Sequence, residues 1–274
     1  MLADVVDLLD CPVCTGDLDI DDRSVICDRG HTFDIARQGY VALLAGSTGG
    51  LRSDTGEMVA ARDRVQEAGH FGPVTDALLD VARGPVVLDV GAGTGHHLGR
   101  LVDAEPARRG IGLDLSKPCA RAVARLSGAV GAVVADAWQR LPVRTGVADT
   151  VLSVFSPRNV AEFTRVLAPG GAVVLVTPTP RHLGEIVAPM QMIGVDPAKP
   201  DRIGATLGVA FTRVERRLVE YTVDADRSLV ADLVAMGPSA HHMSAAQIGE
   251  RAAALDDHTS VTFSMTVSVY EPSA

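Results

Sequence analysis

Lysine is nearly missing from this chain: Lys117 and Lys199 stand alone among 25 basic residues, and all the others are arginine. Charged residues make up only 22% of the 274 positions and hydrophobic ones 47%, a balance that supports a buried core and excludes a disordered chain. No apolar run reaches the length of a membrane span. The opening "MLADVVDLLD" carries acids but neither lysine nor arginine, so the basic leader of an export signal is missing and a cytoplasmic protein is expected. Positive charge is also lacking overall. A net charge of −9 weakens long-range attraction as a way of gathering nucleic acid. No internal repeat is present.

The negative charge is unevenly spread. Residues 1–50 hold nine Asp against three Arg, whereas residues 100–144 carry eight Lys or Arg against four acids. An acidic beginning therefore precedes a locally basic middle, which is either a groove built from arginines or a solvated surface.

Only four cysteines occur, and three of them sit in "CPVCTGDLDIDDRSVICDRGH". Without an export signal and in a chain of this size, disulfides are a poor reading. The spacing is Cys-x2-Cys, twelve residues, Cys-x3-His. Two short turns of that kind present Cys11, Cys14, Cys27 and His31 to one ion, which is the donor set of a closed tetrahedral zinc site. Cys119 is left over and reads as an inert packed thiol.

The zinc-binding module is expected over residues 1–45, followed by a linker over 46–56 whose "GSTGGLRSDTG" has the composition of a flexible connector. From residue 57 to 274 helical and extended patterns alternate. "GEMVAARDRVQEAGHF" and "PVTDALLDVARG" predict helices, after which "PVVLDV", "GIGLDL", "VGAVVAD", "ADTVLSVF" and "GAVVLVTP" predict strands separated by helices. Repeated β-α-β units imply an α/β fold with a parallel sheet covered on both faces. "FTRVERRLVEYTV" predicts a strand. The closing "TSVTFSMTVSVYE" alternates like a half-buried one.

"VLDVGAGTGHH" ends a buried strand at Asp89 and enters Gly91-x-Gly93-x-Gly95. Glycine there lets the backbone turn tightly and approach a ligand. A dinucleotide fingerprint wants its next glycine at 96, where this chain has His96. Asp114, at the end of the next strand, is placed to accept hydrogen bonds from two ribose hydroxyls, and Asp136, after the third, lies near the place of an adenine amino group. This ordered set resembles the Rossmann-like S-adenosylmethionine-dependent methyltransferases, as does "LAPGG" before the fifth strand.

"HTFDIARQGYVALL", "GEMVAARDRVQEAGHF", "VLDVGAGTGHHL", "SVFSPRN", "PRHLGE" and "VAMGPSAHH" together resemble the bacterial 23S ribosomal RNA (guanine-N1)-methyltransferases, most of all the tylosin-resistance branch. The resemblance spans nearly the whole chain. It implies methylation of guanine N1 in a hairpin loop of 23S ribosomal RNA, with S-adenosyl-L-methionine as donor, Zn2+ in the N-terminal module and macrolide resistance as a consequence. It also implies that Cys11, Cys14, Cys27 and His31 are the zinc ligands, that Gly91, Gly93, Thr94 and Gly95 form the cofactor loop, and that Phe71 and His182 lie beside the cofactor. The mouth after the fourth strand, "SVFSPRN", is where such a fold meets its substrate. Arg158 and Asn159 are the catalytic candidates there, with Ser156 beside them; Asn159 reads equally well as a helix cap, and no carboxylate stands in that segment. The alternative reading is a small-molecule methyltransferase whose zinc knuckle is only structural. Whether the chain acts alone or as a homodimer is open at this level.

Overall fold

The computed structural model describes residues 1–46 and 53–273. Most of the expected linker falls at 47–52, outside the described residues. Two short 3-10 turns, Leu2–Asp4 and Val6–Leu8, lead into a three-stranded antiparallel sheet of β1 (Leu18–Asp21), β2 (Ser24–Cys27) and β3 (Thr32–Asp34). A short strand, β4 (Val41–Ala42), follows. Helices α1 (Gly56–Glu67) and α2 (Gly72–Val81) then precede the alternating part of the chain. The Thr55 side chain caps α1 by accepting the Met58 N–H at 3.3 Å, and Gly69 at φ +82° ends the turn that follows it.

The alternating part runs β5 (Val86–Val90), α3 (His96–Asp103), β6 (Arg109–Asp114), α4 (Lys117–Val123), β7 (Val130–Val134), β8 (Ala148–Val154), α5 (Val160–Val166) and β9 (Leu167–Pro178). After α6 (Gly184–Val187) and α7 (Lys199–Leu207) come β10 (Phe211–Asp226), α8 (Arg227–Ala235), α9 (Ala245–Ala253) and β11 (His258–Pro272). One eight-stranded sheet results, in the order β10-β11-β9-β8-β5-β6-β7-β4. Strands β4 to β9 pair in parallel, while β11 runs antiparallel to both neighbours, so the sheet is mixed rather than wholly parallel. Among the described residues no helix is long and apolar enough to cross a membrane.

The closing strand departs from expectation. It is buried on both faces from Val261 to Tyr270, because it is inserted between β9 and β10 and helices cover it. Its polar residues are satisfied internally: Glu185 accepts the Thr262 N–H at 2.9 Å, and Ser264 Oγ donates to Glu220 at 2.7 Å. Alternation along this strand separates two buried faces, not core from solvent.

The acidic beginning and the basic middle meet. Asp7 pairs with Arg109 at 2.9 Å, Asp10 with Arg140 at 2.6 Å and Asp17 with Arg144 at 2.9 Å. These three arginines hold the N-terminal segment while keeping part of each side chain exposed. Apolar contact accompanies the charge. Val5 packs so closely on β7 that a Cβ at Gly131 would lie 2.1 Å from Val5 Cγ2, so glycine is required there. Leu8, Leu9, Cys11, Leu18, Val25 and Cys27 share one buried cluster with Ile111, Leu113 and Val133 of the sheet.

Candidate functional site

The thiolate and imidazole donors come together as the spacing requires. Donor atoms of Cys11, Cys14, Cys27 and His31 all lie within 4.8 Å of one another. Cys14 and Cys27 sulfurs are 3.2 Å apart, and Cys11 Sγ is 3.5 Å from His31 Nδ1. Tetrahedral zinc with Zn–S bonds of about 2.3 Å sets its ligand atoms a little under 4 Å apart, so one ion fits with small adjustments. Two turns build the cluster. Thr15 N–H donates to Cys11 O and Gly30 N–H to Cys27 O, both at 2.8 Å, with Thr15 at φ +60° and Gly30 at φ +87°. Arg29 N–H also donates to Cys27 Sγ at 3.3 Å, a bond that favours the thiolate. Cys119, the leftover thiol, lies on the buried face of α4 and is pushed up to about 12 by burial, which fits an inert role.

The glycine loop lies at the carboxyl end of β5. Gly91, Gly93 and Gly95 all have positive φ, but their missing side chains serve different purposes. A Cβ at Gly91 would stand 2.5 Å from Ser156 Cβ, one at Gly95 2.7 Å from Leu126, and one at Gly93 2.9 Å from the Arg62 guanidinium. Thr94 fastens the loop to α1 by donating to Gln66 Oε1 at 2.6 Å. Asp89 is buried beneath the loop with Oδ1 unpartnered among the described residues, and burial together with the nearby Asp114 charge pushes its carboxyl up to about 8. A buried carboxyl oxygen with no partner among the described residues matches a ligand that brings its own cation.

Asp114 is raised above the usual carboxylate range by burial, partly offset by two backbone donors: Gly93 N–H at 2.9 Å to Oδ2 and Ser116 N–H at 2.8 Å to Oδ1. Each oxygen keeps a lone pair for a ribose hydroxyl. Asp136 accepts the Trp138 N–H at 2.9 Å and lines a cavity of about 210 Å³ with Leu43, Leu44, Ala45, Gly46, Gln139 and Arg140. The orphaned acid, the glycine cradle and the two carboxylates at successive strand ends fit S-adenosyl-L-methionine.

Phe71 and His182 are far apart in sequence and meet around Phe155 and Phe263. Phe71 stands edge-on to Phe155 and Phe263 at ring separations of 6.3 Å and 5.5 Å, while His182 lies stacked on Phe155 at 6.0 Å. Ser264 N–H donates to His182 Nδ1 at 3.2 Å, so the neutral ring carries its proton on Nε2 and presents a donor. Burial lowers His182 to about 4 and keeps it neutral.

In the mouth segment, the side chains of Ser156, Arg158 and Asn159 face different demands. Ser156 Oγ is tied to the Val90 carbonyl and to Ser153 Oγ. Arg158 is partly buried, which lowers its pKa, and Nη1 donates to Ser156 O at 3.3 Å. Asn159 caps α5 by accepting the Glu162 N–H at 3.4 Å, and its amide donates to the Ala137 and Gln139 carbonyls at 3.2 and 3.1 Å. Those bonds occupy the Asn159 amide in positioning two loops rather than in reaching a substrate.

Sequence reasoning passed over Phe155. It is 43% exposed and sits at φ +54°, a conformation that costs a bulky residue about 1–3 kcal/mol and is held here by the Phe155 N–H bond to the Val176 carbonyl. Its place at the end of β8, inside "SVFSPRN", was the available signal. Arg62 was passed over too, because an arginine on an amphipathic helix carries no signal of its own.

Known proteins resemble this chain. A family model described as "RlmA, N-terminal", a zinc ribbon, matches residues 9–46, and one described as "Methyltransferase domain" matches residues 87–171. The chain is 40% identical over 279 residues to the 23S rRNA (guanine(748)-N(1))-methyltransferase of Streptomyces fradiae, covering 99% of each chain. It is also 40% identical over 295 residues to a Micromonospora griseorubida protein provisionally named a 23S rRNA (guanine-N(1)-)-methyltransferase, covering 99% of this chain and 100% of that one. Among solved structures, the MccD protein superposes with a TM-score of 0.50 at 15% identity, covering 73% of this chain and 96% of its own, a likeness of fold alone. With its zinc ribbon, its cofactor cradle and full-length relatives in agreement, the chain belongs to the family of the bacterial 23S ribosomal RNA (guanine-N1)-methyltransferases.

Proposed function

We propose that this protein methylates N1 of a guanine in a hairpin loop of 23S ribosomal RNA, in the cytoplasm, and that the modification protects the ribosome against macrolides. The observation that carries the reading is a Cys3His cluster in a segment whose following strand, β4, joins the edge of the sheet that bears the glycine loop, in a chain whose full-length relative in Streptomyces fradiae bears the name of that activity.

When bound, S-adenosyl-L-methionine supplies an electrophilic methyl on a sulfonium. Asp114 and Asp136 would hold its ribose and adenine, and Asp89 would face its ammonium. Gly93 gives the backbone its close approach, Gly91 and Gly95 make room for Ser156 and Leu126 behind the loop, and Thr94 fixes that loop to α1. Methyl transfer is an in-line displacement, so the main task left to the side chains is alignment and exclusion of water. Phe71 and Phe263 are buried behind Phe155, which turns an exposed ring outward on which an unstacked guanine can lie. Guanine N1 carries a proton at neutral pH, and its loss places negative charge on O6. The Arg158 guanidinium, and the His182 Nε2–H whose tautomer Ser264 sets, are the donors that would take that charge. A paired guanine is out of reach, which is why the substrate is a loop.

Purified protein, S-adenosyl-L-methionine and unmodified 23S ribosomal RNA test the proposal. A methyl on N1 blocks the Watson-Crick edge, so reverse transcription stops at one position and mass spectrometry of the nuclease digest identifies N1-methylguanosine. A synthetic duplex of the same sequence is a poor substrate. Methylated adenine or cytosine, or label transferred to small molecules in the absence of RNA, would refute the proposal.

A further inference from the structure

The three loop glycines differ in what occupies the space of their absent side chains. Gly91 makes room for Ser156, and Gly95 for Leu126 and Val123, all parts of the packed fold. At Gly93 the occupant is a cation: Nη1 of Arg62 lies 2.9 Å from the position of a Cβ. Arg62 projects from α1, which Gln66 and Thr94 bind to the same loop at 2.6 Å. One half of its guanidinium is spent, since Nη2 reaches Asp54 Oδ2 at 2.7 Å and the Met236 carbonyl at 2.8 Å. The other half is not. Nη1 has no hydrogen-bond partner among the described residues, although the side chain is only 22% exposed.

An anchored guanidinium with one nitrogen left open over a glycine loop is a receptor for an anion. Acids stand close to it: Asp54 is paired with Arg62, Asp114 lies at the loop, and Asp89, largely protonated, is buried beneath it. Those acids suit the ammonium and the ribose hydroxyls of S-adenosylmethionine. They repel its α-carboxylate, which must find a cation.

We propose that Arg62 binds the α-carboxylate of the cofactor's methionyl end through Nη1, while Asp54 and the Met236 carbonyl fix the orientation of the guanidinium. The inference rests on the S-adenosylmethionine-dependent reading of the site. Gly93 then has two duties: its N–H braces Asp114, and its lack of a side chain leaves the place where the carboxylate and Arg62 meet.

The test compares two ligands on the full-length protein by titration calorimetry: S-adenosylmethionine, and decarboxylated S-adenosylmethionine, which keeps the adenosine, the sulfonium and the amine but lacks the carboxylate. The parent protein is expected to prefer the complete cofactor by about ten- to a hundredfold, the worth of one charge-assisted hydrogen-bond contact. Arg62→Ala is expected to erase that preference by weakening S-adenosylmethionine alone, and Arg62→Lys, which keeps the charge and loses the fork, to retain part of it. Equal weakening of both ligands in Arg62→Ala would overturn the proposal and leave Arg62 a brace for Asp54 and Met236. A preference surviving intact would overturn it as well. A parent protein that binds neither ligand would remove the cofactor reading itself, and this inference with it.

Discussion

Replacing Asp114 with alanine removes the acceptor at the end of β6. Each of its carboxylate oxygens already takes one backbone N–H, from Gly93 at 2.9 Å and Ser116 at 2.8 Å. A carboxylate offers about four acceptor positions, so two remain for the ribose hydroxyls of the cofactor. Hydrogen bonds to a charged group contribute about 1.5–3 kcal/mol each. Burial raises this carboxyl above its ordinary range, so part of the gain is spent in ionising it, and the two bonds together are set at the worth of one. Cofactor affinity should then fall by roughly ten- to a hundredfold or somewhat more, read by calorimetric titration with S-adenosylhomocysteine. Alanine also strips two backbone N–H groups of their acceptor, which costs about 1–3 kcal/mol for each one left dry, so the melting temperature should drop in parallel. Asp114→Asn discriminates further: its amide NH2 must face one of the two backbone donors, so it rescues neither property fully. A folded Asp114→Ala protein with unchanged affinity would refute the assignment. Asp136→Ala should lose less, because an adenine amino group offers it fewer bonds than two ribose hydroxyls offer Asp114.

Other perturbations test other parts of the site. With its carboxyl near 8, Asp89 is largely protonated at pH 7 in the free protein, and an arriving ammonium favours its ionised form, so cofactor binding at pH 7 should release a proton. Calorimetry in buffers of different ionisation enthalpy reads this directly, and identical apparent enthalpies would exclude it. His97 and His182 are buried neutral, at about 3 and about 4, below the ordinary value of 6.5. Their contribution to stability is present above pH 6.5 and is lost as pH falls through 4 and then 3, because the unfolded chain takes up the protons first. Asp89 acts in the opposite sense, adding stability as pH falls from about 8 towards 4, so the parent's net curve is a compromise. Denaturant titrations should show His97→Gln losing less stability than the parent between pH 6.5 and 4; equal losses would clear His97 of the effect. Cys27→Ser should release zinc and reduce RNA methylation more than it reduces cofactor affinity, and metal analysis beside the two assays would reveal an equal loss if the cluster supports both alike.

Elements whose physics is local were legible in the sequence. The Cys-x2-Cys and Cys-x3-His knuckles are set by turn geometry within a few residues, and the structure closes them with bonds from Thr15 N–H to Cys11 O and from Gly30 N–H to Cys27 O. The strand-loop-helix from Val86 to Asp103 was equally clear, since buried β-branched residues followed by spaced glycines have few other solutions. What depends on distant partners was not legible. The polar half of β11 looked solvent-facing until Glu185 and Glu220 arrived to satisfy Thr262 and Ser264. Asn159 reads as a substrate contact or a cap with equal ease in one dimension; the Ala137 and Gln139 carbonyls occupy its amide. Phe155 stands out only through a backbone angle and a stacking partner 27 residues away, neither of which a linear pattern records.

The relation between the two ends of the chain follows from where the N-terminal segment finishes. A metal module that only recognised RNA could hang from a tether, with its loss leaving the cofactor site untouched. Here the segment ends as β4, paired in parallel with β7 through Val41 and Val133, and the next residues, Leu43 to Gly46, line the same cavity as Asp136. The bidentate Asp10–Arg140 pair, at 2.8 and 2.6 Å, then ties the residue before the first zinc ligand to a residue lining that same cavity. One ion pair and two backbone hydrogen-bonded strands therefore connect the zinc cluster to that cavity, where adenine would lie if Asp136 holds it. A contiguous connection of this kind is one physical route for energetic coupling, and a coupling between two ligands is reciprocal. If RNA bound at the zinc module tightens the Leu43–Gly46 wall, cofactor bound against that wall tightens the hold on RNA by the same factor.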